Sequence, residues 1–345
     1  MIKDLPYEIR MGFLTGLHNL SWWPVMTPDT TASSYWLNWR FLLCATWILI
    51  AMVCSALLIW RYEGTKNSKN RTSGETQEAA GCLYKGEAWG TCSKMIHPIW
   101  LLGYRIVAFC SMLALILADS FINSAHIFYF YTEWTFTLVT IYFGLASLLS
   151  LHGCLHYCHK VDHDKNCCVD SEERGSYIVP KLGEYADVPS MTISLNQHDE
   201  DRCQSASTWE YTLQIIFQMC AGAVALTDSV FWLLLFPFFT AKDFRLSFLV
   251  FCMHSVNAVF LLGETILNSL RFPFFRMAYF LLWTCVFVVF QWTIHAFVPM
   301  RWPYPFLELS SPYAPIWYLS VGLLHLPCFG IFTLIFKIKN CCLSR

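Results

Sequence analysis

His254 stands inside the apolar run FVFCMHSVNAVFLLGETI. It lies about eight residues from the start of that run, or roughly 12 Å at the helical rise of 1.5 Å per residue. An imidazole at such depth must find partners or stay neutral. Two roles account for it: a general base, or one end of an interhelical hydrogen bond. The stretch YTEWTFTLVT supplies hydroxyls at Thr135, Thr137 and Thr140, and Thr137 and Thr140 share one helical face at i, i+3. Threonine attacks only when a neighbouring base takes its proton; otherwise its hydroxyl bonds back to a carbonyl one turn earlier. Carboxylates stand at Asp119, Asp228 and Glu264. Asp119 or Asp228 has the chemistry to orient His254, as the third member of a triad does, or to pair with Arg105 or a backbone amide. Carboxylates inside a membrane also mark proton and ion paths. The candidate catalytic set is Thr137 and His254, with Thr140, Asp119 and Asp228 as further members.

A second cluster is LHGCLHYCHKVDHDKNCCVD, with His152, Cys154, His156, Cys158, His159, His163, Cys167 and Cys168. The residue types suit zinc, but no C-x-x-C pair is present. Cysteines beside a membrane helix are also candidates for reversible palmitoylation, as are Cys341 and Cys342, with no modification at all as the alternative. No metal site is assigned. Phosphate-loop, dinucleotide, H-E-x-x-H and G-x-S-x-G patterns are all absent from the sequence. No cofactor is expected, and an ATP-driven pump, a dinucleotide enzyme and an ordinary α/β-hydrolase are disfavoured.

The elements that must position these residues follow from composition. The 345 residues are 56% hydrophobic and 14% charged, against about 25% charged in a soluble domain. Aromatic residues make up 17%, which suits membrane interfaces. A net charge of −1 gives no electrostatic footprint for nucleic acid. A spanning helix needs about 20 mostly apolar residues. Seven windows meet or approach that length: 41–60, 98–119, 133–155, 211–238, 246–268, 274–297 and 314–336. The ten-residue alternation of a membrane barrel is missing. The expected fold is therefore an all-α integral membrane bundle of about seven transmembrane helices, with the lipid bilayer as its solvent.

Residues 1–40 read as an N-terminal segment lying at the interface, with Trp22 and Trp23 at headgroup depth. The window 41–60 is a first span, 61–97 a polar loop, 98–336 a six-span core interrupted by a polar loop at 156–208, and 337–345 a tail. We call the side holding the N-terminus side one. It carries Lys3, Arg10, Arg40, Lys242, Arg245 and Arg301, while every other Lys and Arg except Arg105, inside a span, falls on side two. The positive-inside rule then places both long loops and the C-terminus in the cytosol.

Three strings carry a resemblance to a known family. Met253-His254-Ser255, Trp302-Pro-Tyr-Pro-Phe-Leu-Glu308 and Val230-Phe231-Trp232 resemble motifs of the androgen-induced-gene family of multi-pass membrane proteins, with the rolling-stone-like proteins as relatives. Their order and approximate spacing agree over about residues 100–336, and the first span and both long loops look like additions. The resemblance implies an intramembrane threonine hydrolase that cleaves fatty-acid esters of hydroxy fatty acids with one Thr and one His. The histidine carries over onto His254. The family's Trp-x-Phe-Leu-Thr meets Trp134-Thr-Phe-Thr137-Leu138 here, so an ungapped match places Leu138 at the nucleophile position, with Thr137 or Thr140 as substitute. The implied partner is a membrane lipid or lipid ester. A non-enzymatic transporter, fusion or adhesion factor is the alternative.

Overall fold

The computed structural model describes residues 29–63, 86–93, 96–123, 128–173, 206–239 and 246–343, with backbone alone at 123, 157–173 and 239. The expected interfacial segment with Trp22 and Trp23 lies outside the described residues. So do the side chains of Cys158, His159, His163, Cys167 and Cys168.

Seven described helices are long and apolar enough to cross a bilayer. They are α1 (Trp39–Glu63), α2 (Pro98–Ile122), α3 (Tyr131–His156), α4 (Thr208–Phe238), α5 (Phe248–Leu267), α6 (Phe274–Phe297) and α7 (Ala314–Leu343). Each coincides with one window read from the sequence, α5 falling inside its window 246–268. The protein is an all-α, multi-pass membrane bundle.

The helix α4 is the hub, packing against α3, α5, α6 and α7. Its run Cys220-Ala-Gly-Ala-Val224 is buried. A side chain at Gly222 would strike the Phe280 ring of α6. Small residues thus let two spans close where lipid offers no hydrophobic gain for association. The start of α4 is set by a capping box: Ser207 Oγ accepts from the Glu210 amide at 3.3 Å, and Glu210 accepts from the Ser207 amide at 2.8 Å. By contrast, α1 packs on α6 and α7 and leaves Leu42, Leu49, Val53 and Leu57 exposed. Its sequence has no apolar stripe because the bilayer solvates it on the outer face.

Near side two, buried charge is held in matched pairs. Arg105 of α2 and Glu264 of α5 are both fully buried and joined through Nε at 3.1 Å. Tyr142 of α3 donates to the same carboxylate at 2.8 Å, and the guanidinium also donates to Ser150 and to the Ala88 carbonyl. Arg276 donates to Glu63 at 2.9 Å and joins α6 to α1. Residues 86–93 fall in the span expected to be a solvated loop. They instead fold onto the bundle, with Ala88 fully buried and Ser269 donating to the Glu87 carbonyl at 2.8 Å. Arg105 Nη1 ties the segment down further by donating to the Ala88 carbonyl at 3.0 Å.

On side one, the string Trp302–Glu308 tucks into the helix ends. Trp302 is 2% exposed, stacks on His295 at 3.9 Å and donates to Tyr35 Oη at 3.0 Å. Pro303 and Pro305 stiffen the turn, and Tyr304 Oη accepts from the Tyr131 amide at the head of α3 at 3.0 Å.

Candidate functional site

Two local departures from α-helix meet at His254. In α5, His254 (φ −112, ψ 17) and Ser255 (φ −145, ψ −41) leave helical geometry, and the helix resumes at Val256. In α4, Val230–Leu235 winds as a π-helix. Such bulges recur at functional sites because they re-aim side chains. The π turn presents Phe231 flat against the His254 imidazole, centroids 3.7 Å apart. It also presents Trp232, whose indole N–H donates to the His254 carbonyl at 2.8 Å. That carbonyl is freed by the break in α5, so the indole supplies the bond that the helix no longer gives.

One turn earlier on α4 stands Asp228. Its Oδ1 lies 3.8 Å from His254 Nδ1, and Asn257 Nδ2 approaches the same oxygen at 3.5 Å. At 3.8 Å the His254–Asp228 approach is longer than a hydrogen bond. His254 Nδ1 and Asp228 Oδ2 are both buried without a hydrogen-bond partner. Unspent polar atoms in a dry bundle cost free energy, and they are the groups a substrate or water would satisfy.

His254 lines a narrow cavity of about 60 Å³, with Tyr131, Thr132, Thr227, Thr284 and Tyr304 among its other walls. The rest of the lining is apolar, including Leu226, Phe287, Phe306 and Val321. The buried string Trp302–Glu308 therefore closes the cavity from side one with Tyr304, Phe306 and Leu307. Burial raises the Tyr304 pKa to about 12, so its phenol keeps its proton at every physiological pH.

The remaining residues singled out in the sequence fall elsewhere. Thr140 Oγ donates to the Phe136 carbonyl at 2.9 Å, the local bond available to any helical threonine. Thr137 lies two helical turns from Gly144, where a Cβ would meet Phe109 of α2 at 3.0 Å, so Thr137 shares the face turned towards α2. Its Oγ is buried and unbonded, and it is absent from the lining of the His254 cavity. Thr135, on the opposite face, meets Thr227 of α4 at 3.3 Å. Asp119 is buried at the side-one end of α2. Arg105 takes Glu264 as its partner rather than Asp119 or Asp228, which leaves Asp228 for His254. Among the described residues no group of three metal-ligating side chains occurs.

The sequence did not single out Tyr131, Thr227 or Thr284 as cavity groups. Thr227 carried a usable signal, being adjacent to Asp228 on the same helix. Thr284 carried none, since it is a single hydroxyl in the apolar run FLLWTCVFVVF. Comparison with family models, with curated proteins and with solved structures gives no match for this chain.

Proposed function

We propose that the protein is an intramembrane hydrolase of lipid esters in which His254 is the general base and Asp228 its orienting carboxylate. The observation that carries this reading is the unspent His254 Nδ1, 3.8 Å from Asp228, on a ring that borders a mostly apolar cavity within the spans. A lipid ester enters such a site sideways from the bilayer. His254 takes the proton of a threonine hydroxyl, the hydroxyl oxygen attacks the ester carbonyl, and the acyl-enzyme is released by water. The resemblance of Met253-His254-Ser255 and Trp302–Glu308 to the androgen-induced-gene family supports the same chemistry. That family's nucleophile position falls on Leu138 here, with Thr137 or Thr140 as substitute, while the threonines that share the cavity with His254 are Thr132, Thr227 and Thr284.

Labelling of membranes with a fluorophosphonate probe tests the reading. His254→Ala should lower labelling and ester hydrolysis by about 10²–10⁴-fold, the usual contribution of a general base. The protein should remain in the membrane at near-normal level, because an interhelical hydrogen bond is worth only about 0.6 kcal/mol. Asp228→Asn should give a smaller loss in the same direction. Labelling that survives His254→Ala, Thr137→Ala and Thr140→Ala would sink this mechanism. A native chain that hydrolyses no ester would leave a non-enzymatic membrane role.

A further inference from the structure

A second hydroxyl–imidazole pair lies deeper in the bundle. His325 Nε2 of α7 is 2.9 Å from Thr284 Oγ of α6, and His325 Nδ1 is 2.8 Å from the Val321 carbonyl. A carbonyl oxygen only accepts, so in the neutral ring Nδ1 carries the proton and Nε2 offers its lone pair. The Thr284 hydroxyl must then donate to Nε2. Its single proton is committed, so the Tyr131 hydroxyl, 2.9 Å away, donates to Thr284 Oγ. Thr284 Oγ also lies 3.4 Å from the Phe280 carbonyl, but its contact with His325 is shorter at 2.9 Å and favours donation in the order Tyr131, Thr284, His325 and Val321. A hydroxyl donating into an imidazole held by a third group is the resting arrangement of a nucleophile and its base. His325 is 2% exposed and packed on Phe280 at 4.5 Å, which keeps the ring from turning.

The pair also has an acyl-sized approach. Thr284 and His325 both line a cavity of about 330 Å³ between α1, α6 and α7. Its walls include Trp47, Ile50, Ala51, Leu281 and Leu323. Three spans enclose it, and the outer face of α1 meets the bilayer, so the occupant such walls select is the hydrocarbon chain of a membrane lipid. Pro327 lies within α7, two residues beyond His325. It removes the helical bond to the Leu323 carbonyl, at the wall of this cavity.

We propose that Thr284 and His325 form an acyl-transfer centre for carboxylic esters of membrane lipids, in which His325 is the base although Thr284 also borders the His254 cavity. Thr284 Oγ bonds to the ester carbonyl carbon as His325 Nε2 takes its proton. The bond from that carbon to the lipid alcohol breaks, and the proton passes from His325 to the departing oxygen. Water, deprotonated by His325, then cleaves the Thr284 ester, releases the fatty acid and restores the hydroxyl.

The test uses the full chain in lipid nanodiscs, treated with a long-chain alkyl fluorophosphonate, digested, and mapped by mass spectrometry. The native chain should carry the phosphonate on Thr284, a result that needs no variant. Thr284→Val and His325→Ala should lose labelling at this site by at least about 10²-fold, and Thr284→Ser should keep it. An adduct on Thr137 that disappears with His254→Ala would overturn this proposal and support the His254 mechanism. An adduct on Thr284 that depends on His254 would overturn the assignment of His325 as base. No adduct on the native chain would overturn both.

Discussion

The His254 imidazole and the Phe231 ring lie face to face, 3.7 Å between centroids and 3° between planes. The ring belongs to the π turn of α4, so the irregular winding of one helix sets the orientation of the base on its neighbour. A flat aromatic face stops the imidazole from rotating, whereas an aliphatic side chain of similar bulk does not. Phe231→Leu should therefore reduce His254-dependent ester hydrolysis by about tenfold, a part of the roughly 10²–10⁴-fold that a positioned base contributes, with membrane level unchanged. Phe231→Tyr should retain activity. Equal rates for Leu and Phe at 231 would show that the stack does not position the base.

The Arg105–Glu264 pair is a second case in which two helices depend on one contact. Both side chains are fully buried, and removing one partner from such a pair costs about 3–5 kcal/mol because a charge is left uncompensated. Glu264→Gln or Arg105→Met should each lower the thermal stability of detergent-solubilised protein strongly. The double variant Arg105→Met, Glu264→Gln should recover most of the loss. Activity mapped to His254 should follow protein level alone. Single variants as stable as the native chain would show that the pair is not needed to hold α2 on α5.

These two contacts mark what the sequence made legible. The seven spans were readable because a run of about 20 apolar residues has few alternatives in a folded chain. His254 and Asp228 stood out as polar groups that apolar surroundings could not explain. The choice of Glu264 over Asp119 and Asp228 as the partner of Arg105 was not readable, since it depends on which helices become neighbours and at what height. Nor was the pairing of Thr284 with His325, each a lone polar residue in its own apolar run and 41 positions apart. The string Trp302–Glu308 announced a stiff turn through its prolines, but its burial comes from Tyr35 and His295, on distant segments. The face of α3 was misleading for Thr137: apolar content is high all around that helix, so the sequence did not show that Thr135 rather than Thr137 turns towards α4.

Orientation in the membrane is open to direct measurement. With six basic residues on side one and most of the rest on side two, the positive-inside rule expects the C-terminus in the cytosol and the N-terminus across the membrane. In sealed, right-side-out cells or vesicles, a tag at one end only should be cleaved by added protease. Cleavage of both tags together, or protection of both, would mean an even number of crossings.

Tyr35 and Glu308 lie outside the spans and couple the fold to alkaline pH. Tyr35 Oη donates to Glu308 Oε1 at 2.7 Å. Burial first, and the Glu308 charge second, raise the Tyr35 pKa far above its ordinary value near 10. The phenol therefore keeps its proton in the folded chain at a pH where the unfolded chain has lost it. Above about pH 10 the folded state holds more protons than the unfolded one, so stability falls as pH rises. One retained proton corresponds to about 1.4 kcal/mol per pH unit. Below pH 10 both states are protonated and the contribution is fully present. Thermal unfolding of solubilised protein followed from pH 8 to 11.5 should show this decline. Tyr35→Phe should lessen its slope by one proton, at the cost of the bonds to Glu308 and Trp302 that are lost at all pH values. Tyr304, whose pKa is raised to about 12, keeps its own share of the decline in that variant. A slope that Tyr35→Phe leaves unchanged would mean that this phenol does not link the side-one cap to pH.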